Sequence, residues 1–180
     1  MIRSGAAAAD GRSSLSSWFL DDRGRESVEL KPKRYRYETS VRWTGEHRGT
    51  MSAAGKADVE VACPPEFGGE GGFWSPEDLF VSSINVCVMT TFVSLAERQK
   101  VELVSYESEA DALATIVGGE LRFVTVTVRP RIYVRDERSQ EEARQALERA
   151  RSLCMVTLSV RPEVRIEADI RLANDPHAAV

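Results

Sequence analysis

Residues 75–99, SPEDLFVSSINVCVMTTFVSLAERQ, decide how this chain reads. Ser75 can accept a bond from the free amides at a helix start. Pro76 suits the first helical position, where no N–H is needed, and Asp78 stands where a capping box wants an acid. The segment predicts a helix running to about Gln99. Its apolar residues, Leu79, Phe80, Val81, Ile84, Val86, Cys87, Val88, Met89, Phe92, Val93, Leu95 and Ala96, surround the axis, the pattern of a helix enclosed on nearly every side. The uncharged run 79–96 is long enough to suggest a membrane span, but it carries Ser82, Ser83, Asn85, Thr90, Thr91 and Ser94. The expectation is a buried helix of a soluble protein, with no membrane partner.

Upstream lies CPPEFGGEGG, residues 63–72, whose paired prolines and glycines exclude regular structure and predict a loop. Before it, Tyr35, Tyr37, Thr39, Val41 and Trp43 alternate with Arg34, Arg36, Glu38, Ser40 and Arg42, a strand with one wet face. TGEHRG, residues 44–49, reads as a hairpin turn, and Met51 to Ala62 as returning strand interrupted near Gly55.

Downstream, Val101 to Ile116 is strand-like and Gly118-Gly119 makes a turn. Val124, Val126, Val128, Ile132 and Val134 then share one strand face, with Pro130 suggesting an edge or a bulge. Ser139 with Glu142 reads as a second capping box, ahead of Ala143, Ala146, Leu147, Ala150, Leu153 and Cys154 on one helical stripe. A last strand turns Val164, Ile166, Ala168, Ile170 and Leu172 inward. Strands, buried helix, long hairpin, second helix and strand describe an α+β domain, not a doubly wound parallel sheet. It should occupy residues 33–173, after a flexible N-terminal extension of residues 1–32 in which Trp18, Phe19 and Leu20 are the apolar exception, and before a short polar tail of residues 174–180.

Composition narrows the function. With 28 acidic against 24 basic residues and no basic face, nucleic acid is not an expected partner. The N-terminus offers only four consecutive alanines where a secretory signal needs a longer apolar run, so a cytoplasmic location is expected. The three cysteines, Cys63, Cys87 and Cys154, have no metal-ligand spacing with His47 or His177, so no metal is expected. The glycine-rich loop lacks the GK[ST] ending of a phosphate loop.

A cysteine inside an apolar helix is ordinarily a small hydrophobe, inert because burial opposes the thiolate. That reading covers Cys87 and Cys154 taken singly. Taken together, each lies on the inward face of one of two predicted helices, and helices packed on a common core can bring their sulfurs together. Cys63 reads as a bystander thiol and His47 as a solvated turn residue.

The runs PPEFGG (64–69), WSPEDLFVSSINVCVMTTFVSLAE (74–97), VELVSYESEA (101–110), RFVTVTVRPRIYV (122–134) and LCMVTLS (153–159) resemble, in this order, the OsmC/Ohr family of hydroperoxide-reducing proteins. The resemblance spans about residues 35–172. It implies an OsmC-like fold, with curved antiparallel sheets packed on two long helices, the first buried, in an intertwined homodimer. It makes Cys87 the peroxidatic thiol and Cys154 the resolving thiol. The glutamate of the P-E-D motif is Glu77, and the arginine of the first hairpin turn is Arg48, with Arg42 as its competitor. The implied reaction reduces organic hydroperoxides to alcohols through a Cys87 sulfenic acid and a Cys87–Cys154 disulfide. No bound cofactor is implied, and the reductant is an external dithiol of lipoyl type. A non-catalytic redox sensor or small-molecule-binding protein on the same fold is the alternative. Many family members carry a proline after the resolving cysteine, whereas this chain has Met155.

Phe67, Phe73 and Trp74, in and beside the glycine-rich loop, read either as apolar contact to a hydrophobic peroxide or as ordinary core. Glu77 and Cys87 are ten positions apart, about 15 Å along a continuous helix. Either the helix breaks after Asp78, or Glu77 serves the Cys87 of a second subunit.

Overall fold

The computed structural model describes residues 33–173. The extension 1–32 and the tail 174–180 lie outside the described residues. Residues 33–39 have no regular secondary structure, so the first strand begins later than the alternation suggests. Strands β1 (Ser40–Gly45), β2 (Arg48–Ser52) and β3 (Val59–Ala62) form an antiparallel sheet in that order. Among the secondary-structure elements, these three pack chiefly on one another, and the apolar side of β1 is open, with Val41 67% and Trp43 74% exposed.

Helix α1 (Pro76–Arg98) is followed by the hairpin of β4 (Leu103–Val117) and β5 (Glu120–Val134), then α2 (Glu137–Leu153), the short α3 (Met155–Leu158), β6 (Glu163–Ile166) and β7 (Asp169–Leu172). The second sheet is mixed: β4 pairs antiparallel with β5, while β6 and β7 both pair parallel with β5 on its other side. Pro130 therefore sits inside the central strand and not at an edge. Residues 167 and 168, opposite Arg129 and Pro130, separate β6 from β7, although both strands keep the same offset against β5. Proline has no N–H to give a ladder, so the interruption is absorbed by the neighbouring strand, where the Glu167 N–H reaches the Val128 carbonyl instead (2.9 Å).

The helices cover one face of this sheet. Val126, Val128, Ile132 and Val134 of β5 are fully buried beneath Ile84, Val88 and Phe92 of α1 and Ala143, Ala146 and Ala150 of α2. The Phe92 ring lies 5.6 Å from that of Tyr106 on β4. The opposite face is polar: Arg129 of β5 bridges Asp111 of β4 and Glu167 in the break between β6 and β7.

Both long helices start on local chemistry. Ser75 Oγ accepts the Asp78 N–H (3.0 Å) and the Asp78 carboxylate accepts the Ser75 N–H (3.0 Å), the reciprocal box read from the sequence. In α2 the cap is Asp136, whose carboxylate accepts the Ser139 N–H (2.7 Å), and not Ser139 itself. Ser139 is buried, and its hydroxyl accepts the Glu102 N–H (3.1 Å), tying the helix start to the end of the loop before β4.

Apolar residues do surround α1, yet within one chain its burial is one-sided. Ser83, Val86, Thr90, Ser94 and Glu97 form an exposed stripe, and Val86 is 53% exposed. The three hydroxyls of that stripe donate back to helix carbonyls, at Phe80, Val86 and Thr90, so they make little demand on solvent. By length and hydropathy α1 also meets the test for a membrane span, but its inner side is the core of this domain.

The loop of residues 63–74 is closed at both ends. The Cys63 N–H donates to the His47 carbonyl (3.0 Å), and the Ala62 N–H donates to the Trp74 carbonyl (3.0 Å). Between them Pro65–Phe67 makes one 3₁₀ turn, and the Gly69 N–H returns to the Pro64 carbonyl (3.1 Å). A β-carbon on Gly69 would lie 1.6 Å from the Cys63 carbonyl oxygen, so only glycine fits there.

Two outcomes follow. Phe92→Ala should lower the unfolding free energy by about 3–5 kcal/mol, read as a fall in the urea midpoint at unchanged slope. Gly69→Ala should cost about 1–3 kcal/mol and open residues 63–74 to limited proteolysis, which leaves the wild-type loop intact.

Candidate active site

Cys87 lies midway along α1, one helical turn before Thr91, and is partly exposed. Cys154 ends α2 and begins α3: its N–H donates to the Ala150 carbonyl (2.9 Å), and it is 0% exposed. The two helices bring these thiols together in one cluster, with both cysteines free. Burial pushes the Cys87 thiol above its ordinary range, and the adjoining Cys154 pushes it further by accepting a hydrogen bond from the neutral thiol. The Val156 N–H and the Thr91 hydroxyl pull the other way, by donating to the sulfur. Cys154 Sγ in turn accepts the Thr157 hydroxyl (3.0 Å) and the Thr157 N–H (3.4 Å).

Beside Cys87 on α1, Asn85 is locked to β4, accepting the Ser108 hydroxyl (2.6 Å) and donating to the Ser108 carbonyl (3.4 Å). This holds α1 in rotation and keeps Cys87 turned toward Cys154.

The charged candidates lie elsewhere in the chain. Arg48 opens β2, and its guanidinium pairs with Glu70 (3.3 Å) and Glu46 (4.0 Å) and sits 5.5 Å from the Phe73 ring centre. Arg42, on β1, is exposed. Glu77 is in the first turn of α1 and has a buried Oε2 with no hydrogen-bond partner. Because α1 is continuous from Pro76 to Arg98, the helix does not break after Asp78, and about 15 Å of rise separates Glu77 from Cys87 within one chain.

Of the three aromatics, Phe73 carries the Arg48 cation, while Phe67 and Trp74 are exposed. Cys63 Sγ donates to the Phe67 carbonyl (3.5 Å) inside its own loop. Among the described residues no group of three His, Cys, Asp or Glu side chains is placed to hold a metal ion.

The sequence reading passed over three contacts. Thr91 and Thr157 bear on the sulfurs, and each had a local signal: Thr91 is four residues after Cys87, and Thr157 three after a cysteine at a helix end, the spacing of a capping contact. Glu70 had none, since its partner Arg48 lies twenty-two positions earlier, across a loop.

A family model described as OsmC-like protein matches residues 69–169, more than half of the chain. No curated protein gives a significant match. Solved structures repeat the fold. An OsmC-like protein of unknown function from Vibrio cholerae superposes with a TM-score of 0.70 at 19% identity, covering 76% of this chain and 100% of that one. An organic hydroperoxide resistance protein OsmC from Legionella pneumophila gives 0.61 at 22%, covering 78% and 99%. The organic hydroperoxide resistance protein OhrB of Bacillus subtilis gives 0.55 at 18%, covering 76% and 98%. At these identities the structures speak for the fold, and the family match, which takes in both Cys87 and Cys154, goes further: the chain belongs to the OsmC-like protein family.

Proposed function

We propose that this protein is a two-cysteine peroxidase for organic hydroperoxides. The observation that carries the reading is the meeting of Cys87 and Cys154, one partly exposed and one buried, at the crossing of two helices. The Cys87 thiolate attacks one peroxide oxygen, the O–O bond breaks, and the leaving alkoxide takes a proton to give the alcohol. Cys87 is left as the sulfenic acid. The Cys154 sulfur displaces its hydroxyl as water, and the pair becomes a disulfide before a second peroxide can overoxidise Cys87. An external dithiol, lipoyl-type by family resemblance, then returns both thiols.

The reaction needs a thiolate, and the surroundings of Cys87 within one chain oppose it. A cation must offset them. In this reading Arg48 supplies it, oriented by a bidentate pair with Glu77, and the protein is an intertwined homodimer in which Glu77 serves the Cys87 of the partner subunit. Three features support the dimer: the continuous α1 that keeps Glu77 from its own Cys87, the unpartnered buried Glu77 oxygen, and the open faces of α1 and β1. Phe67, Phe73 and Trp74 offer the apolar surface that favours an alkyl peroxide over hydrogen peroxide.

One equivalent of an alkyl hydroperoxide should give a Cys87–Cys154 disulfide by peptide mapping. Cys154→Ser should leave Cys87 stalled or overoxidised, and Cys87→Ser should abolish peroxide consumption. No change in either thiol within minutes would leave a protein that uses this fold for binding or for structure alone. Arg48→Met should move the pH midpoint of Cys87 alkylation upward by roughly one to three pH units, because the lost cation favours the protonated thiol. Mixing inactive Glu77→Gln and Cys87→Ser chains should restore one site per heterodimer; mixtures without activity would place Glu77 outside any cross-subunit role.

A further inference from the structure

We propose that the disulfide is opened from one side only: the reducing dithiol bonds to Cys87, Cys154 is the sulfur that leaves, and Thr157 receives the charge on it. The proposal rests on the peroxidase reading for the existence of a Cys87–Cys154 disulfide in the working cycle, and on the two surroundings of the sulfurs for its direction.

Thiol–disulfide exchange requires the incoming thiolate to reach one sulfur while the other departs with the electron pair. Cys154 is fully buried, closed in by its own helix end and by α3, whereas Cys87 is partly exposed on α1. Access therefore selects Cys87. The departing sulfur is already furnished for charge: the Thr157 hydroxyl lies 3.0 Å from Cys154 Sγ and its N–H 3.4 Å away. Bonds to a charged acceptor are the stronger kind, so both tighten as Cys154 leaves.

The step balances as follows. A dithiol thiolate forms a bond to Cys87 Sγ, the S–S bond breaks, and Cys154 departs as thiolate and then takes a proton. The second thiol of the donor attacks the mixed disulfide, Cys87 leaves as thiolate, and the donor closes to a cyclic disulfide. Two electrons and two protons pass from donor to protein. A monothiol meets a different fate, because Cys154 stands beside the mixed disulfide and can expel it again.

The test uses full-length protein in a Cys63→Ser background. Diamide, which oxidises thiol pairs without peroxide, makes the disulfide; 2-mercaptoethanol is added in large excess, and a rapid quench into denaturant with N-ethylmaleimide traps the free thiols for peptide mapping before Cys154 can expel the adduct. Mercaptoethanol on Cys87 with maleimide on Cys154 is expected, and the reverse placement overturns the direction of attack. Thr157→Val should slow reduction by dithiothreitol about tenfold or more, and Thr157→Ser should restore it. Reduction of Thr157→Val at the wild-type rate, or failure of Thr157→Ser to restore it, removes Thr157 from the step. The mapping on unsubstituted Thr157 decides the direction even where Thr157→Val does not fold. A disulfide made by diamide but not by peroxide sinks the peroxidase reading alone, whereas no disulfide with either oxidant sinks both.

Discussion

Everything at the site depends on how closely α1 and α2 approach. The buried stripe of α2 is Ala143, Ala146, Leu147 and Ala150; its three alanines have almost no reach, and small residues at a helix contact allow short interaxial distances. Against them α1 presents Ile84, Val88 and Phe92, which fill the space between the helices and the valines of β5. The geometry then runs on to Cys154: its N–H is bonded to the carbonyl of Ala150, the last alanine of the stripe, so the sulfur at the helix end is fixed relative to the packed face. Larger residues on that stripe would part the helices, and the Cys87–Cys154 contact would be the first to go.

What could be read from the sequence divides along the range of the interaction. The start of α1 was legible because Ser75, Pro76 and Asp78 act within one turn, and the inward placement of Cys154 was legible because the single apolar stripe of α2 fixes it, whereas apolar residues all round α1 leave no period to orient Cys87. The cap of α2 was misread by three residues. Ser139 has the right chemistry for a cap, but Asp136 sits ahead of it, and the Ser139 hydroxyl is taken by the Glu102 N–H thirty-seven positions away. Pro130 failed for the same kind of reason. A proline in a strand signals a missing donor, yet the sequence does not say that a parallel neighbour will break at residues 167 and 168 to absorb it. The setting of Arg48 was invisible too, since Glu70 and Phe73 reach it only because the loop of residues 63–74 is folded back on itself and anchored at Cys63 and Trp74.

The electrostatics of the pair define what the proposed reaction still needs. A sulfur set into a helix crossing loses water, and a second thiol that accepts a hydrogen bond from it stabilises the neutral form further. Those features suit the later steps, in which Cys154 must be near and water must be scarce, but they oppose the first one. The Thr91 hydroxyl and the Val156 N–H offset only part of this, since the Cys87 thiol remains above its ordinary range. A permanent charge is the remaining remedy, and a guanidinium suits it because arginine stays charged when partly desolvated. In this chain Arg48 is already balanced by Glu70 and rests on Phe73 at the surface, where its field is screened. To act on Cys87 it must exchange that solvent-exposed setting for a buried one. In the proposed dimer the unpartnered Glu77 carboxylate provides the compensating charge, so one association step would bring the cation and its orienting partner to Cys87 together.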